Sequence, residues 1–173
     1  LITRQTLKLD PQVLSSLDVW DISRYLSNLP VENLMVPAQK VITIDPNKTA
    51  ERAAKVMIDN RIGCLPVVED GDVVVGILSE VDLLHVFQTM LALPTKGVRI
   101  TLRMPDKKGQ FAKITAKLSE HDLGVMGIGT YPSPREEGYY DAVLKLRNIS
   151  LEAARKAFGD IEGFKVIDIR DVV

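Results

Sequence analysis

Hydrophobic and polar positions follow two different patterns along this chain, one on each side of the breaker Pro94 to Gly97. Before the breaker, short apolar runs end at turn residues and surround an amphipathic stretch, which is typical of strands packed with helices. After the breaker, longer stretches of strict alternation predict half-buried strands that are separated by amphipathic helices. The pattern therefore predicts two units of mixed α+β structure.

The first unit, between about residues 31 and 91, has the predicted order strand, helix, strand, strand, helix. Its predicted elements are a strand at Val41 to Ile44, a helix capped by Thr49, strands at Leu65 to Val68 and Val73 to Leu78, and a helix from Ser79 to about Met90. Glu69-Asp70-Gly71-Asp72 predicts a hairpin turn between the last two strands.

The second unit predicts the order βαββαβ, which is a ferredoxin-like layer of two helices on one sheet. Its predicted strands are Val98 to Met104, Val125 to Tyr131, Tyr139 to Leu146 and Phe164 to about Val172, and its helices follow Gly109 and the cap Ser150.

The composition of the chain limits the partners and the cellular compartment that we expect for the protein. The 22 basic and 23 acidic residues are interspersed and leave a net charge of -1, so neither nucleic acid nor a membrane is expected as a partner. Cys64, the single cysteine, excludes an internal disulfide and fits a reducing compartment. With no apolar run long enough for a membrane helix and no signal peptide, we expect a cytoplasmic protein.

A short internal repeat links the start of the sequence to its middle. Residues 1–7 echo residues 77–83, which aligns Thr3 with Ser79 and Thr6 with Asp82. We therefore expect residues 1–27 to hold the tail of a unit like the first one, followed by a linker helix. The sequence begins with Leu1, and we expect an upstream part of the natural chain.

Four segments in the right order make residues 28–91 resemble a CBS motif. They are Val31-Glu32-Asn33-Leu34-Met35, Asp45-Pro46, Arg61-Ile62-Gly63-Cys64-Leu65-Pro66-Val67-Val68 and Gly76-Ile77-Leu78-Ser79-Glu80-Val81-Asp82-Leu83-Leu84. The resemblance implies that such motifs pair into a module that binds adenosine nucleotides or related adenosyl ligands. AMP, ATP and S-adenosylmethionine are the expected candidates.

The loop Pro105-Asp106-Lys107-Lys108-Gly109-Gln110-Phe111, lying between a strand and a helix of βαββαβ, resembles an ACT domain. With residues 92–97 as a linker, this domain would cover residues 98–173. The combination is similar to the acetoin-utilisation regulator family of CBS and ACT proteins. The resemblance implies edge-to-edge association, frequent amino-acid binding and no usual catalytic role.

Ser79 and Asp82 suit a nucleoside ligand, because a carboxylate can accept from both ribose hydroxyls and a helix start favours phosphate. The alternative is a capping box, in which the two residues only satisfy the first turn of the helix. The resemblance adds further nucleotide-binding residues: Val36, Ile42, Ile62 and Ile77 as walls, Gly63 and Cys64 as backbone contacts, Pro66 beside them, and Thr3 as the counterpart of Ser79. Since Thr6 replaces the acid at the N-terminal counterpart, we expect the site with Asp82 to bind.

Asp106, Gly109 and Gln110 form the expected amino-acid effector site, since backbone N–H groups at a helix start can bind a carboxylate. The alternative, which we favour, is a plain turn with a glycine at an unusual backbone angle. Amino-acid-binding ACT domains often carry an asparagine after a Gly-Val pair, whereas Met126 follows Gly124-Val125 here.

No catalytic or metal-binding set is expected. His85 and His121 lie on predicted helices without a nucleophile or carboxylate set beside them, and one cysteine cannot build a metal site. The predicted function is that of a non-enzymatic regulator, which senses a nucleotide and assembles as a homodimer or larger homo-oligomer with an unknown target. Two alternatives remain, a structural scaffold with empty pockets and the regulatory part of a larger enzyme.

Overall fold

A computed structural model describes residues 1–3, 6–7, 15, 17–71 and 73–172. The chain divides into two compact units, an N-terminal unit of Leu1–Ser79 and a C-terminal unit of Glu80–Val173. The boundary lies between Ser79, the last residue of a strand, and Glu80, the first residue of the helix that carries Asp82. Each unit is described separately below.

The N-terminal unit is a small α+β structure. Its elements are helix α1 (Val19–Ser27), 3-10 turns at Val31–Asn33 and Ala38–Lys40, helix α2 (Ala50–Asn60), and strands β1 (Cys64–Glu69) and β2 (Val73–Ser79). Thr49 caps α2 as predicted, because its hydroxyl accepts from the Arg52 N–H at 3.3 Å. Ala53 and Met57 are the buried residues of α2.

β1 and β2 form an antiparallel hairpin, as the turn sequence predicts. Asp70 and Gly71 have φ angles of 49° and 91°, the left-handed pair that a tight hairpin turn requires. The strand predicted at Val41 to Ile44 is wrong apart from its last residue. Among the described residues only Ile44 joins the sheet, by a single parallel bridge to Val67. The residues before it follow a 3-10 turn and pair with no described strand.

The C-terminal unit begins with helix α3 and continues in the predicted order βαββαβ. Its elements are α3 (Glu80–Met90), β3 (Gly97–Pro105), α4 (Gln110–Glu120), β4 (Gly124–Pro132), β5 (Tyr139–Arg147), α5 (Leu151–Gly159) and β6 (Lys165–Val172). Ser150 caps α5 by accepting from the Ala153 N–H at 3.2 Å.

The strands of this unit form one antiparallel sheet in the order β4-β5-β3-β6. One set of alternate positions on the central strands packs with the helices to form the core. Its largest fully buried members are Ile100, Leu102, Ile114, Leu144, Leu146 and Phe158. Phe111, in the first turn of α4, is 45% exposed.

The other set of alternate positions on the central strands holds buried polar residues beside the apolar Val143. Thr101, Arg103, Asp141 and Lys145 each expose 7% or less of their surface. The segment after α3 lies close to this sheet, where Lys145 Nζ donates to the Ala92 carbonyl at 3.0 Å. Gly127 of β4 is close to the backbone of Met90 and Leu91.

Candidate functional site

The N-terminal unit contains a cavity of about 510 Å³ between its first residues and the segment that leads into β1. The N–H group of Val36 donates to the Leu1 carbonyl at 2.8 Å, so the first residues are held beside the 3-10 turns. The cavity is lined by Leu1, Ile2, Thr3, Thr6, Val36, Lys40, Val41, Ile42, Arg61, Ile62, Gly63 and Cys64. We call it the Thr3 cavity.

The Thr3 cavity brings together most of the predicted nucleotide-binding residues. Those in its lining are Thr3, Val36, Ile42, Ile62, Gly63 and Cys64. The predicted residues outside its lining are Pro66, Ile77, Ser79 and Asp82. Val36, Val41, Ile42 and Ile62 are half-buried and Leu1 and Ile2 are exposed, which leaves an apolar surface for a flat ring.

Thr3 and Thr6 are joined by reciprocal hydrogen bonds at one end of the cavity. Thr6 Oγ1 accepts from the Thr3 N–H at 3.0 Å and donates to the Thr3 carbonyl at 2.9 Å. Thr3 Oγ1 accepts from the Thr6 N–H at 3.3 Å. The two hydroxyls thus satisfy the start of a turn, as a capping pair does. Arg4, whose charge makes it a candidate phosphate ligand in the sequence, lies outside the described residues.

Two cations in the lining, Lys40 and Arg61, were not among the predicted site residues. Both side chains are exposed, and neither forms an ion pair with any residue that the structure describes. Lys40 ends the 3-10 turn before the predicted strand, and Arg61 precedes the Ile62-Gly63 pair. Their positions two residues before the predicted wall Ile42 and one residue before the predicted wall Ile62 are the sequence signal that could have found them.

Arg61 has a left-handed backbone, with φ 53° and ψ 46°, where it ends α2. Its N–H donates to the Ile58 carbonyl at 3.2 Å, and the Ile62 N–H donates to the Met57 carbonyl at 3.0 Å. A side chain in this conformation costs roughly 1 kcal/mol relative to glycine. The sharp end of the helix turns the chain from α2 into the wall formed by Ile62.

Ile77 lines a different cavity of about 460 Å³ in the same unit, together with Lys48, Thr49 and Val67. Pro66 is buried in β1 opposite Ile77, and Cys64 is opposite Ser79 in the same ladder. Asp82 lies in the first turn of α3, which belongs to the C-terminal unit. The predicted residues are therefore divided between the Thr3 cavity, the hairpin and α3.

The predicted effector residues Asp106, Gly109 and Gln110 line one small cavity of about 190 Å³. Phe111 and Tyr140 contribute aromatic surface to it. Gly109 has a φ angle of 84° at the N-terminus of α4, so the turn itself uses the freedom of glycine, and the Asp106 N–H donates to the Gly138 carbonyl at 2.8 Å. This geometry is compatible with both interpretations of the loop.

Charged networks of the C-terminal unit are concentrated on its sheet. Glu136 accepts from Lys165 and from Arg103, and the hydrogen bond from Lys165 is the main reason that the pKa of Glu136 lies below its ordinary value. The guanidinium of Arg170 likewise lowers the pKa of Asp168. These carboxylates stay ionised at neutral pH and stabilise the cations beside them.

Other kinds of site are not evident where the structure is described. Within the described ranges, no group of three or more His, Cys, Asp and Glu side chains could hold a metal ion. Among the helices of the same residues, none is long and apolar enough to span a bilayer.

Comparisons with known proteins agree with the CBS resemblance. Residues 31–89 match the CBS domain family. A homoserine O-acetyltransferase of Methanohalophilus mahii is 35% identical over 82 residues, which are 46% of this chain and 15% of that protein. A homoserine O-acetyltransferase of Methanobrevibacter ruminantium is 40% identical over 62 residues, which are 36% of this chain and 12% of that protein. The chain thus spans a small part of the length of these relatives.

A solved structure of a formyltetrahydrofolate deformylase from Pseudomonas syringae pv. tomato resembles part of the chain, with 20% identity and a TM-score of 0.39. The match covers 53% of this chain and 33% of that one, and it is too distant to support an argument about fold or function. CBS domains are typically regulatory and bind small molecules. The chain contains a CBS domain at residues 31–89, which indicates a regulatory, ligand-binding role.

Proposed function

We propose that this protein is a non-catalytic regulator whose Thr3 cavity binds an adenosine nucleotide or a related adenosyl ligand. The observation that carries this proposal is the lining of the cavity, where aliphatic walls, two hydroxyls and two cations surround about 510 Å³. This combination suits a ligand with an apolar ring at one end and polar groups at the other. The CBS domain at residues 31–89 supports a ligand of this class.

The adenine ring would lie between Val36, Ile42 and Ile62, whose side chains provide an apolar slot of the right chemistry. The backbone at Gly63 and Cys64 would bond to the polar edge of the base, because it lines the same slot. Ribose and any phosphate would then extend toward the hydroxyl and cation groups of the lining.

Calorimetric titration with AMP, ATP and S-adenosylmethionine tests this proposal. Ile62→Trp would fill the cavity, and we expect it to abolish binding of whichever ligand the unaltered protein takes. Ile58→Trp adds the same ring to α2 at a side chain that is 74% exposed and outside the cavity lining, so it should bind normally. Equal affinity in both variants, or no binding of any adenosyl ligand, would exclude this cavity as the site.

Asp82 carries a separate part of the proposal. Because Asp82 does not line the Thr3 cavity, a ribose held by its carboxylate would belong to a second bound nucleotide, and Asp82→Ala would then remove a charge-assisted interaction of about 1.5 to 3 kcal/mol and weaken binding at that second site at least tenfold. If Asp82 serves only the first turn of α3, the same change lowers the melting temperature and leaves the affinity unchanged. Measuring both quantities on the one variant separates these roles.

We further propose that the C-terminal unit is an ACT domain that joins subunits. Its βαββαβ order supports this assignment, and β4 is an edge strand of its sheet with Val125, Ile128 and Tyr131 between 37% and 42% exposed. We expect a homodimer or larger assembly by light scattering at micromolar concentration. A monomer under these conditions would exclude the assignment of this unit to assembly.

A second candidate is the regulatory part of a longer enzyme. It is favoured by the partial similarity to homoserine O-acetyltransferases, whose names state an activity of those proteins. The intact mass of the protein purified from its source would test this candidate, together with an assay for acetylation of homoserine. A mass that matches these 173 residues alone, with no acetylation, would leave the stand-alone regulator.

A further inference from the structure

We infer that the Thr3 cavity selects its ligand by negative charge and only weakly by the ribose hydroxyls, so that a phosphorylated nucleoside is its ligand class. The inference rests on the proposed function, since it assumes that an adenosyl ligand occupies this cavity. It goes further by separating the phosphate from the sugar as the determinant of affinity.

The charged side chains around the cavity are the reason to expect that it selects an anionic ligand. Lys40 and Arg61 are the charged residues of its lining, and none of the described lining residues is a carboxylate. Neither cation is paired with an acidic side chain anywhere in the part of the chain that the structure covers. An anionic group that enters the cavity therefore meets two positive charges without first displacing an acidic partner.

The hydrogen bonds within the pair Thr3 and Thr6 are the reason to expect only weak selection by the ribose hydroxyls. The hydroxyl proton of Thr6 is already donated to the Thr3 carbonyl, and Thr3 Oγ1 already accepts from the Thr6 N–H. The oxygens that remain for a ribose are neutral, and hydrogen bonds to neutral oxygens are roughly half as strong as those to a carboxylate. The internal repeat aligns Thr6 with Asp82. The Thr3 cavity therefore has a neutral hydroxyl where the repeat-related position has a carboxylate.

These two steps rank the candidate ligands by chemistry. A nucleoside phosphate gains from both cations, whereas neutral adenosine does not. S-adenosylmethionine carries a sulfonium cation that Lys40 and Arg61 repel, although its carboxylate can still approach them. A 2′-deoxynucleotide loses only a hydrogen bond to a neutral oxygen.

Isothermal titration of the full chain with AMP, 2′-deoxy-AMP, adenosine and S-adenosylmethionine tests the inference. We expect AMP to bind at least tenfold more tightly than adenosine and within about threefold of 2′-deoxy-AMP. The affinity for AMP should fall between 50 mM and 500 mM salt, because exposed charges are screened, while that for adenosine should not.

Variants assign the effect to the two cations. Lys40→Met and Arg61→Asn remove one charge each, and asparagine tolerates the left-handed backbone at position 61. We expect each to weaken AMP by roughly three- to tenfold and to leave adenosine unchanged. Lys48→Met is the matched control, since Lys48 lines the other cavity of the same unit.

The outcomes separate this inference from the proposed function. Similar affinities for AMP and adenosine would overturn charge selection and leave an adenosyl site in place. Preference for AMP over 2′-deoxy-AMP by tenfold or more would overturn the weak role of the ribose. If no adenosyl ligand binds, the proposed function itself fails and this inference fails with it.

Discussion

Arg103 and Asp141 face each other across β3 and β5, and the guanidinium holds the carboxylate by two bonds of 2.7 and 2.9 Å. Both residues are buried, at 7% and 3% exposure. Removing one member of such a pair leaves an uncompensated buried charge. Asp141→Ala should therefore lower the melting temperature by roughly 10 °C or more, measured by circular dichroism.

The double variant Arg103→Met/Asp141→Leu is the control for this pair. It removes both charges together, so its melting temperature should lie above that of Asp141→Ala. If the single variant melts with the unaltered protein, the pair does not stabilise the sheet.

The lowered pKa of Glu136 predicts how the stability of the C-terminal unit changes as the pH falls. Its pKa is lowered in the folded state, mainly by the hydrogen bond from Lys165, with a contribution from Arg103. The stability that it contributes is fully present above the unfolded pKa of about 4.3 and is lost as the pH falls through the lower folded pKa. Glu136→Gln should melt below the unaltered protein at pH 7, and the difference should shrink toward about pH 3.

Glu137→Gln is the matched control, because Glu137 is exposed and forms no ion pair with the described residues. Thermal melts of the three proteins at several pH values provide the measurement. A difference between Glu136→Gln and the unaltered protein that stays constant down to pH 3 would contradict the role of this carboxylate.

Gly127 lies at a position on β4 where the backbone of Met90 and Leu91 leaves no room for a side chain. A Cβ atom at this residue would lie 2.9 Å from the Met90 carbonyl oxygen and 3.0 Å from Leu91 Cα, both of them backbone atoms. Because backbone cannot rotate away as a side chain can, Gly127→Ala should destabilise the protein by about 1 to 3 kcal/mol. Gly129→Ala, on the same strand with nothing within 4 Å, should cost much less in a denaturant titration. Equal costs would mean that the segment after α3 does not pack on this strand.

Local chemistry explains which parts of the fold could be predicted from the sequence. Asp70-Gly71 can adopt the left-handed turn that closes the hairpin, and Thr49 and Ser150 cap their helices with their own side chains. These signals act within a few residues, so a single sequence carries them. The apolar character of Val41 to Ile44 predicts a strand, but a strand needs a partner, and in the part of the chain that the structure describes only Ile44 has one.

Part of the candidate site could be predicted because the apolar character of a residue is a local property of the sequence. Val36, Ile42 and Ile62 share an apolar character that the CBS resemblance could place, and they do line one cavity. Lys40 and Arg61 are surface charges like many others in the sequence until folding brings them to the same lining. The pairing of Arg103 with Asp141 likewise depends on the register of two strands, since these residues are 38 positions apart in the sequence.

Cys64 provides a reporter for occupancy of the Thr3 cavity. It is the single cysteine of the chain, it is half-buried, and it lines the cavity. A bound nucleotide should shield its thiol, so saturating AMP should slow alkylation by N-ethylmaleimide at least fivefold at about 100 times the dissociation constant. Intact mass spectrometry over time gives the rate, with Ile62→Trp plus AMP as the control. No change in rate with AMP bound would place the ligand elsewhere.

Thr6→Asp predicts a gain of sugar selectivity in the same cavity. Aspartate at this position could still accept from the Thr3 N–H, as Thr6 Oγ1 does at 3.0 Å, and would add a charged acceptor for the ribose hydroxyls. The ratio of affinities for AMP and 2′-deoxy-AMP should rise to about tenfold or more in calorimetric titration. The ratio is the useful quantity because repulsion between the new carboxylate and the phosphate weakens both ligands alike. Thr6→Ala should leave the ratio near that of the unaltered protein, and an unchanged ratio in Thr6→Asp would show that the ribose does not approach the Thr3 and Thr6 corner.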